Sequence, residues 1–115
     1  MLKIISAVMI IGAASSSFAF QLKCDAAVGP RTGRESVDVE VTYQKNQAFI
    51  YKTIGDYTFN GSCGPETCDI SISSEKLKGF ISTNGAFSKL NDNAISISYF
   101  NDKDEVIEIE CVKVK

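Results

Sequence analysis

The sequence predicts an all-β domain: a small antiparallel barrel of about eight strands, or alternatively a two-sheet β-sandwich, with two disulfides. Three observations predict it. Apolar and polar residues alternate with period two in short runs, turn-forming residues separate those runs, and all four cysteines fall in the apolar phase. Almost nothing beyond residue 19 carries a helical period.

In the first run Phe20, Leu22, Cys24 and Ala26 share one phase while Gln21, Lys23 and Asp25 share the other, so the strand turns its cysteine inward. A loop follows at Gly29-Pro30-Arg31-Thr32-Gly33-Arg34. Next, Val37, Val39, Val41 and Tyr43 alternate with Asp38, Glu40 and Thr42, giving a strand with one dry and one wet face. Beyond the polar turn at Gln44 to Gln47, the Gly55-Asp56 pair joins the runs 48–54 and 57–63. Glycine comes first in this pair, as a type II′ hairpin turn requires. Pairing Ile54 with Tyr57 then sets Lys52 opposite Phe59, Ile50 opposite Gly61 and Ala48 opposite Cys63. That phase faces the core, so Phe49 and Tyr51 point outward beside Thr58, Asn60 and Ser62.

Cys68, Ile70 and Ile72 alternate with Asp69, Ser71 and Ser73 in a fifth strand. Ser74 to Lys78 suits one helical turn, capped by Ser74 and ended by Gly79. Phe80 and Ile81 lead to Asn84-Gly85, which reads as a second hairpin turn, and the stretch Phe87 to Leu90 fits either phase. Ile95, Ile97 and Tyr99 then alternate with Ser96 and Ser98; a charged turn spans Asn101 to Glu105; and Ile107, Ile109 and Cys111 alternate with Glu108 and Glu110. If Cys24 bonds Cys111, the first and last strands are neighbours and the sheet closes.

The amino-terminal residues predict export. A single positive charge at Lys3 precedes an uncharged apolar run from Ile4 to Ala14, about half the length of a membrane-spanning helix. Ser17 and Ala19 place small residues at positions −3 and −1 of a cut after Ala19. Residues 1–19 thus read as a cleavable signal peptide and residues 20–115 as one domain without a membrane span. Lys23 stands immediately before Cys24, where lipid attachment needs a small residue. Removing 19 of the 115 residues leaves 96, and the loss of Lys3 leaves 11 basic against 14 acidic side chains, a net charge of −3.

A domain of this size has a thin core. An even count of four cysteines in an exported chain reads as a disulfide framework, since the compartment beyond the membrane is oxidising. The expected pairs are Cys24 with Cys111 and Cys63 with Cys68, the latter closing Gly64-Pro65-Glu66-Thr67. Four thiolates around zinc would need paired C-x-x-C arms, which are absent. The four-residue spacing of Cys63 and Cys68 also departs from a thioredoxin-type redox pair.

Histidine is absent, which removes the imidazole base, the Ser-His or Cys-His nucleophile pair and the histidine metal ligand. Asp38 with Glu40, and Glu108 with Glu110, read as solvated strand faces rather than a pair of opposed catalytic carboxylates. Asn101-Asp102-Lys103-Asp104-Glu105 has the oxygens of half a calcium loop but neither the glycine nor the distal glutamate. No cofactor and no metal are expected. Two features suit binding: Arg31 and Arg34 in their Gly/Pro loop, which could meet an anion, and the outward Phe49 and Tyr51, with Tyr57 nearby. Asn60-Gly61-Ser62 fits the acceptor pattern for N-glycosylation. The acidic balance argues against nucleic acid.

A signal peptide, a short β domain and a disulfide joining its ends resemble, in architecture, the small periplasmic inhibitors of C-type lysozyme. The inhibitor loop signature, Ser-Gly followed closely by Tyr, is missing: Ser62 is followed by Cys63, and the chain has no Ser-Gly dipeptide. The expectation is an exported, non-catalytic binding module of the periplasm or secreted space, inhibitor-like in build, meeting an envelope protein or a glycan. The alternatives are a small hydrolase using carboxylates such as Asp102 and Asp104, and a structural envelope protein.

Overall fold

The structure, a computed structural model, describes residues 20–77 and 79–114. The predicted signal peptide lies outside the described residues. Among the described residues nine strands occur in chain order: β1 (Leu22–Gly29), β2 (Val37–Val39), β3 (Val41–Gln44), β4 (Gln47–Ile54), β5 (Tyr57–Cys63), β6 (Thr67–Ser74), β7 (Gly79–Ala86), β8 (Ala94–Phe100) and β9 (Val106–Lys113). They form a four-stranded sheet, ordered β2-β1-β9-β8, and a five-stranded sheet, ordered β3-β4-β5-β6-β7. Every described pairing is antiparallel.

The closed barrel does not form; the strands divide into two sheets around one core. The expected neighbour order nonetheless holds, because β1 pairs with β9 along its whole length and Cys24 stands directly opposite Cys111. Closure fails at two places. The run predicted as one strand from Val37 to Tyr43 is broken at Glu40, so its first half pairs with β1 and its second half with β4. At the other side β7 and β8 are the edges of separate sheets, and the chain between them is taken up by short 3₁₀ turns at Phe87–Lys89 and Asn91–Asn93.

Those turns replace the expected strand over 87–90, and Asn84-Gly85 is not a hairpin turn. Both residues lie inside β7, opposite Asp69 and Cys68. Eight consecutive pairs with β6 outweigh a two-residue turn preference. The chain reverses instead through the 3₁₀ turn at Glu75–Leu77, close to where the Ser74–Lys78 turn was expected. The Gly55-Asp56 hairpin has the predicted register at every pair from Ala48–Cys63 to Ile54–Tyr57, and Gly55 adopts the positive φ of 60° that the turn demands.

One buried cluster is shared by both sheets: Leu22, Cys24, Ala26, Ile95, Ile97, Ile107 and Ile109 from one, and Ala48, Ile50, Phe59, Ile70 and Ile72 from the other. Phe20 and Phe87, each almost wholly buried, complete it. All four cysteines are in it, as their phase predicts, and both expected disulfides are formed. Val37 departs from the predicted dry face: it is 37% exposed, at the end of a three-residue edge strand.

Polar contacts tie the sheets together at their margins. The Leu22 N–H donates to the Tyr43 hydroxyl at 2.9 Å, and the Tyr43 ring meets Phe20 edge-on. At the opposite end the Asn101 amide donates to the Tyr57 hydroxyl at 2.9 Å. Lys113 Nζ donates to the Pro65 carbonyl at 2.7 Å, fastening the last strand to the Cys63–Cys68 loop. Among the described residues no helix is long and apolar enough to cross a membrane.

Candidate functional site

Because Ala48, Ile50, Phe59, Ile70 and Ile72 face the core, strand alternation sends the intervening side chains to the outer face of the five-stranded sheet. The register writes that face as rows. Tyr51, Asn60, Ser71 and Ser82 lie side by side across β4 to β7; Phe49, Ser62, Asp69 and Asn84 form the next row; Thr53, Thr58, Ser73 and Phe80 form the third. Tyr51 is 67% exposed, Phe80 70% and Phe49 40%. Aromatic rings thus stand over the edge strand β7 and over β4, one strand in from the edge strand β3, whose Thr42 lies beside Phe49; short hydroxyl, amide and carboxylate groups fill the space between.

A hollow of about 370 Å³ lies in that middle, lined by Asn60, Ser62, Asp69, Ser71, Ser82 and Phe80 among others. Ser71 Oγ donates to Asn60 Oδ1 at 2.8 Å, and Ser62 Oγ donates to Gln47 Oε1 at 2.9 Å. These bonds fix the side chains in place. Asn60, in the glycosylation pattern, is exposed on this face.

The structure places Phe49 and Tyr51 outward, as the register predicts, and leaves them uncovered. It places Tyr57 in the inward phase, half-buried and bonded to Asn101. Arg31 and Arg34 belong to the loop that joins β1 and β2 of the other sheet, and both are already engaged. The Arg34 guanidinium meets Glu108 Oε2 at 2.6 Å and donates to the carbonyls of Pro30 and Arg31. Arg31 pairs with Asp104 at 3.0 Å and lies 4.5 Å from the centroid of the Phe100 ring. Arg34 is therefore tied into its own loop, whereas the Arg31 side chain, 62% exposed, is held by a surface pair.

The acids divide similarly. Asp102 and Asp104 share an exposed turn, with Asp104 held by Arg31. The turn is organised by Asn101, whose Oδ1 accepts from the N–H groups of Lys103 and Glu105 and whose amide donates to Glu105 Oε1. Asp38 stands directly across from Asp25 on the outer face of the four-stranded sheet. Desolvation raises the Asp25 carboxyl above its usual range, and the hydrogen bond with Asp38 raises it further. Asp25, Glu108 and Glu110 line a surface hollow of about 230 Å³ with Ser36, Ser96 and Ser98. Among the described residues no group of three or more His, Cys, Asp or Glu side chains is arranged to hold a metal ion.

Sequence reasoning missed Phe80, Ser82 and Asn84 as members of the aromatic-flanked face, because Asn84-Gly85 read as a turn. The signal was present: Phe80, Ser82 and Asn84 alternate with Ile81 and Thr83 straight through that dipeptide. Comparison with known proteins yields no match, whether to a protein-family model, a curated protein or a solved structure.

Proposed function

We propose that this chain is an exported, non-catalytic binding module, built as a disulfide-held β-sandwich, that meets its partner through the outer face of the five-stranded sheet. The observation that carries this reading is a pair of strongly exposed rings, Tyr51 over β4, with the less exposed Phe49 beside it, and Phe80 over β7 at the edge of a hollow lined also by Asn60, Ser62, Asp69, Ser71 and Ser82. Exposed rings grouped on a rigid sheet lose little conformational entropy on binding and give large contact area. The core is filled by large side chains, which supports a surface rather than an internal cavity as the place of contact.

The signal-like pattern of residues 1–19 supports export, and two buried disulfides suit an oxidising compartment. Arg34 serves this module as a strut of the 30–36 loop. The envelope or secreted space is then where a partner is met.

Amide chemical-shift mapping of the exported, oxidised protein tests the reading. Addition of cell-envelope material should perturb amides of β4 to β7 around Tyr51, Asn60, Ser71 and Phe80. Perturbations confined to the 30–36 loop, to the four-stranded sheet or to nothing at all overturn it. Release of reducing ends from added polysaccharide would replace it with the hydrolase reading.

A further inference from the structure

We infer that the outer face between Tyr51 and Phe80 holds a neutral glycan chain, laid across the strands of the five-stranded sheet; this deepens, and rests on, the assignment of that face as the binding surface. Tyr51 on β4 and Phe80 on β7 are three strands apart. At the usual strand spacing that is about 14 Å, roughly the length of three pyranose rings. Phe80 is also one same-face step beyond Ser82, so a chain running from ring to ring crosses the sheet obliquely, over Asn60, Ser71 and Ser73.

The chemistry of the middle row separates a glycan from a protein. Protein–protein interfaces concentrate apolar and aromatic groups at the centre and push polar ones to the rim, and serine and aspartate are depleted in them. Here the order is reversed. The rings flank the polar rows, over β4 and β7, and between them β5 and β6 present Thr58, Asn60, Ser62, Ser71 and Ser73 with one carboxylate, Asp69. A sugar chain fits that order, since its C–H faces stack on rings while its equatorial hydroxyls reach outward for donors and acceptors. The bond from Ser71 Oγ to Asn60 Oδ1 leaves the Asn60 NH₂ group to donate to such a hydroxyl.

Charge narrows the class. Among the described residues the middle of the face carries no lysine or arginine, and its one acidic side chain is Asp69. Farther along toward the hairpin end a second hollow, lined by Thr53, Thr58 and Ser73, adds Asp56 and Glu75. Lys76 accompanies Glu75 in its turn, but in the middle of the face an anionic polymer such as a uronate meets the Asp69 side chain and no lysine or arginine. A neutral chain instead offers Asp69 a pair of adjacent hydroxyls as donors, a charge-assisted geometry.

Affinity electrophoresis and shift mapping of the full oxidised protein test this together, with soluble mannan, β-glucan and galactan as neutral probes and polygalacturonate as the anionic one. At least one neutral probe should retard the protein and shift β4 to β7 amides, while polygalacturonate should not. Tyr51→Ala and Phe80→Ala should each weaken that retardation about tenfold. Asp69→Asn should weaken it severalfold without creating affinity for polygalacturonate, and Arg31→Ala should leave it unchanged. All four positions are exposed, and unchanged thermal midpoints confirm folding. If envelope material shifts this face but protease treatment of that material abolishes the effect, the partner is a protein: the face survives and the glycan inference falls. Concentration-dependent shifts with no probe present would assign the face to a second copy of the chain, and the glycan inference falls there too. Retardation by polygalacturonate alone also overturns the inference. Absence of shifts on this face under every condition removes the inference and the binding surface alike.

Discussion

Arg34 and Glu108 join the 30–36 loop to the last strand: one carboxylate oxygen of Glu108 receives both Nε, at 2.7 Å, and Nη2, at 2.6 Å. The remaining donor of Arg34 turns back onto the carbonyls of Pro30 and Arg31. Gly29 belongs to the same device, because a Cβ there would lie 2.9 Å from the Cβ of Arg34. Arg34→Ala should therefore cost about 1 kcal/mol, less than a buried charge-assisted bond because both partners are partly exposed. Arg31→Ala, whose pair with Asp104 is well exposed, should fall within about 0.5 kcal/mol of wild type. Urea denaturation midpoints decide it, and equal effects from the two variants would refute the distinction.

The two disulfides should differ in effect although both are buried. Cys24 and Cys111 are 87 residues apart in sequence, and Cys63 and Cys68 only 5. On the chain-entropy account the long closure contributes about 4 to 5 kcal/mol and the short one about 2. The double variant Cys24→Ala with Cys111→Ala should show the much larger fall in thermal midpoint, measured against Cys63→Ala with Cys68→Ala. A larger loss from the short pair would place the stabilisation in native packing instead.

Residues whose role is decided within a strand pair were legible from the sequence. Phe59, Cys63, Ile70 and Ile72 fall inward by alternation alone, and Gly55-Asp56 fixes a register that puts Phe49 and Tyr51 outside. What depends on the meeting of distant segments was not. Nothing local at Glu40 marks the break where one strand becomes two, because both halves keep the same phase. Asn84-Gly85 has a hairpin's composition, yet its backbone is fixed by pairing with Asp69 and Cys68. Half of the aromatic-flanked face was hidden with it. The arginines looked available because their partners Asp104 and Glu108 lie more than 70 residues away.

Asp25 makes stability depend on pH. Its carboxyl is raised by desolvation first and by the hydrogen bond with Asp38 second, with Lys23 opposing. The unfolded chain loses this proton near the ordinary aspartate value of 3.8. Between that value and the raised one the folded chain keeps a proton that the unfolded chain has lost, so this contribution is present at acidic pH and fades as pH rises through the window. Asp25→Asn should raise the thermal midpoint at about pH 7, by an amount equivalent to about 0.5 kcal/mol after solvent screening, and by less at about pH 3.5. A midpoint difference that is constant with pH would remove Asp25 as its source.

Tyr99, on β8, keeps its hydroxyl buried without a hydrogen-bond partner among the described residues. Burial raises its pKa and the neighbouring Tyr57 adds to the shift, so the phenol stays protonated and its donor is unused. A buried, unmatched hydroxyl costs about 1 to 3 kcal/mol. Tyr99→Phe removes the group and keeps the ring against the core. The variant should be as stable as wild type or more so, by calorimetry. Marked destabilisation would mean that the hydroxyl is bonded in solution.

Gly61 and Gly85 both sit inside strands of the five-stranded sheet, yet alanine should act in opposite directions at the two. At Gly61 an added Cβ would lie 2.7 Å from the Asp69 carbonyl oxygen and 2.9 Å from Cγ2 of Ile70. Those atoms belong to the neighbouring strand β6, so relief requires moving backbone or a packed core residue, at about 1 to 3 kcal/mol. At Gly85 the nearest atoms are the Leu90 methyls at 3.5 Å, an ordinary contact, and its φ is not positive. Alanine there restricts the unfolded chain and should stabilise by about 0.5 kcal/mol. Had Asn84-Gly85 formed a type I′ turn, Gly85 would need a left-handed backbone and alanine would destabilise. The sign of the Gly85→Ala shift in denaturation midpoint therefore reports on the strand itself, and through it on whether Phe80, Ser82 and Asn84 stand in register with the rest of the face.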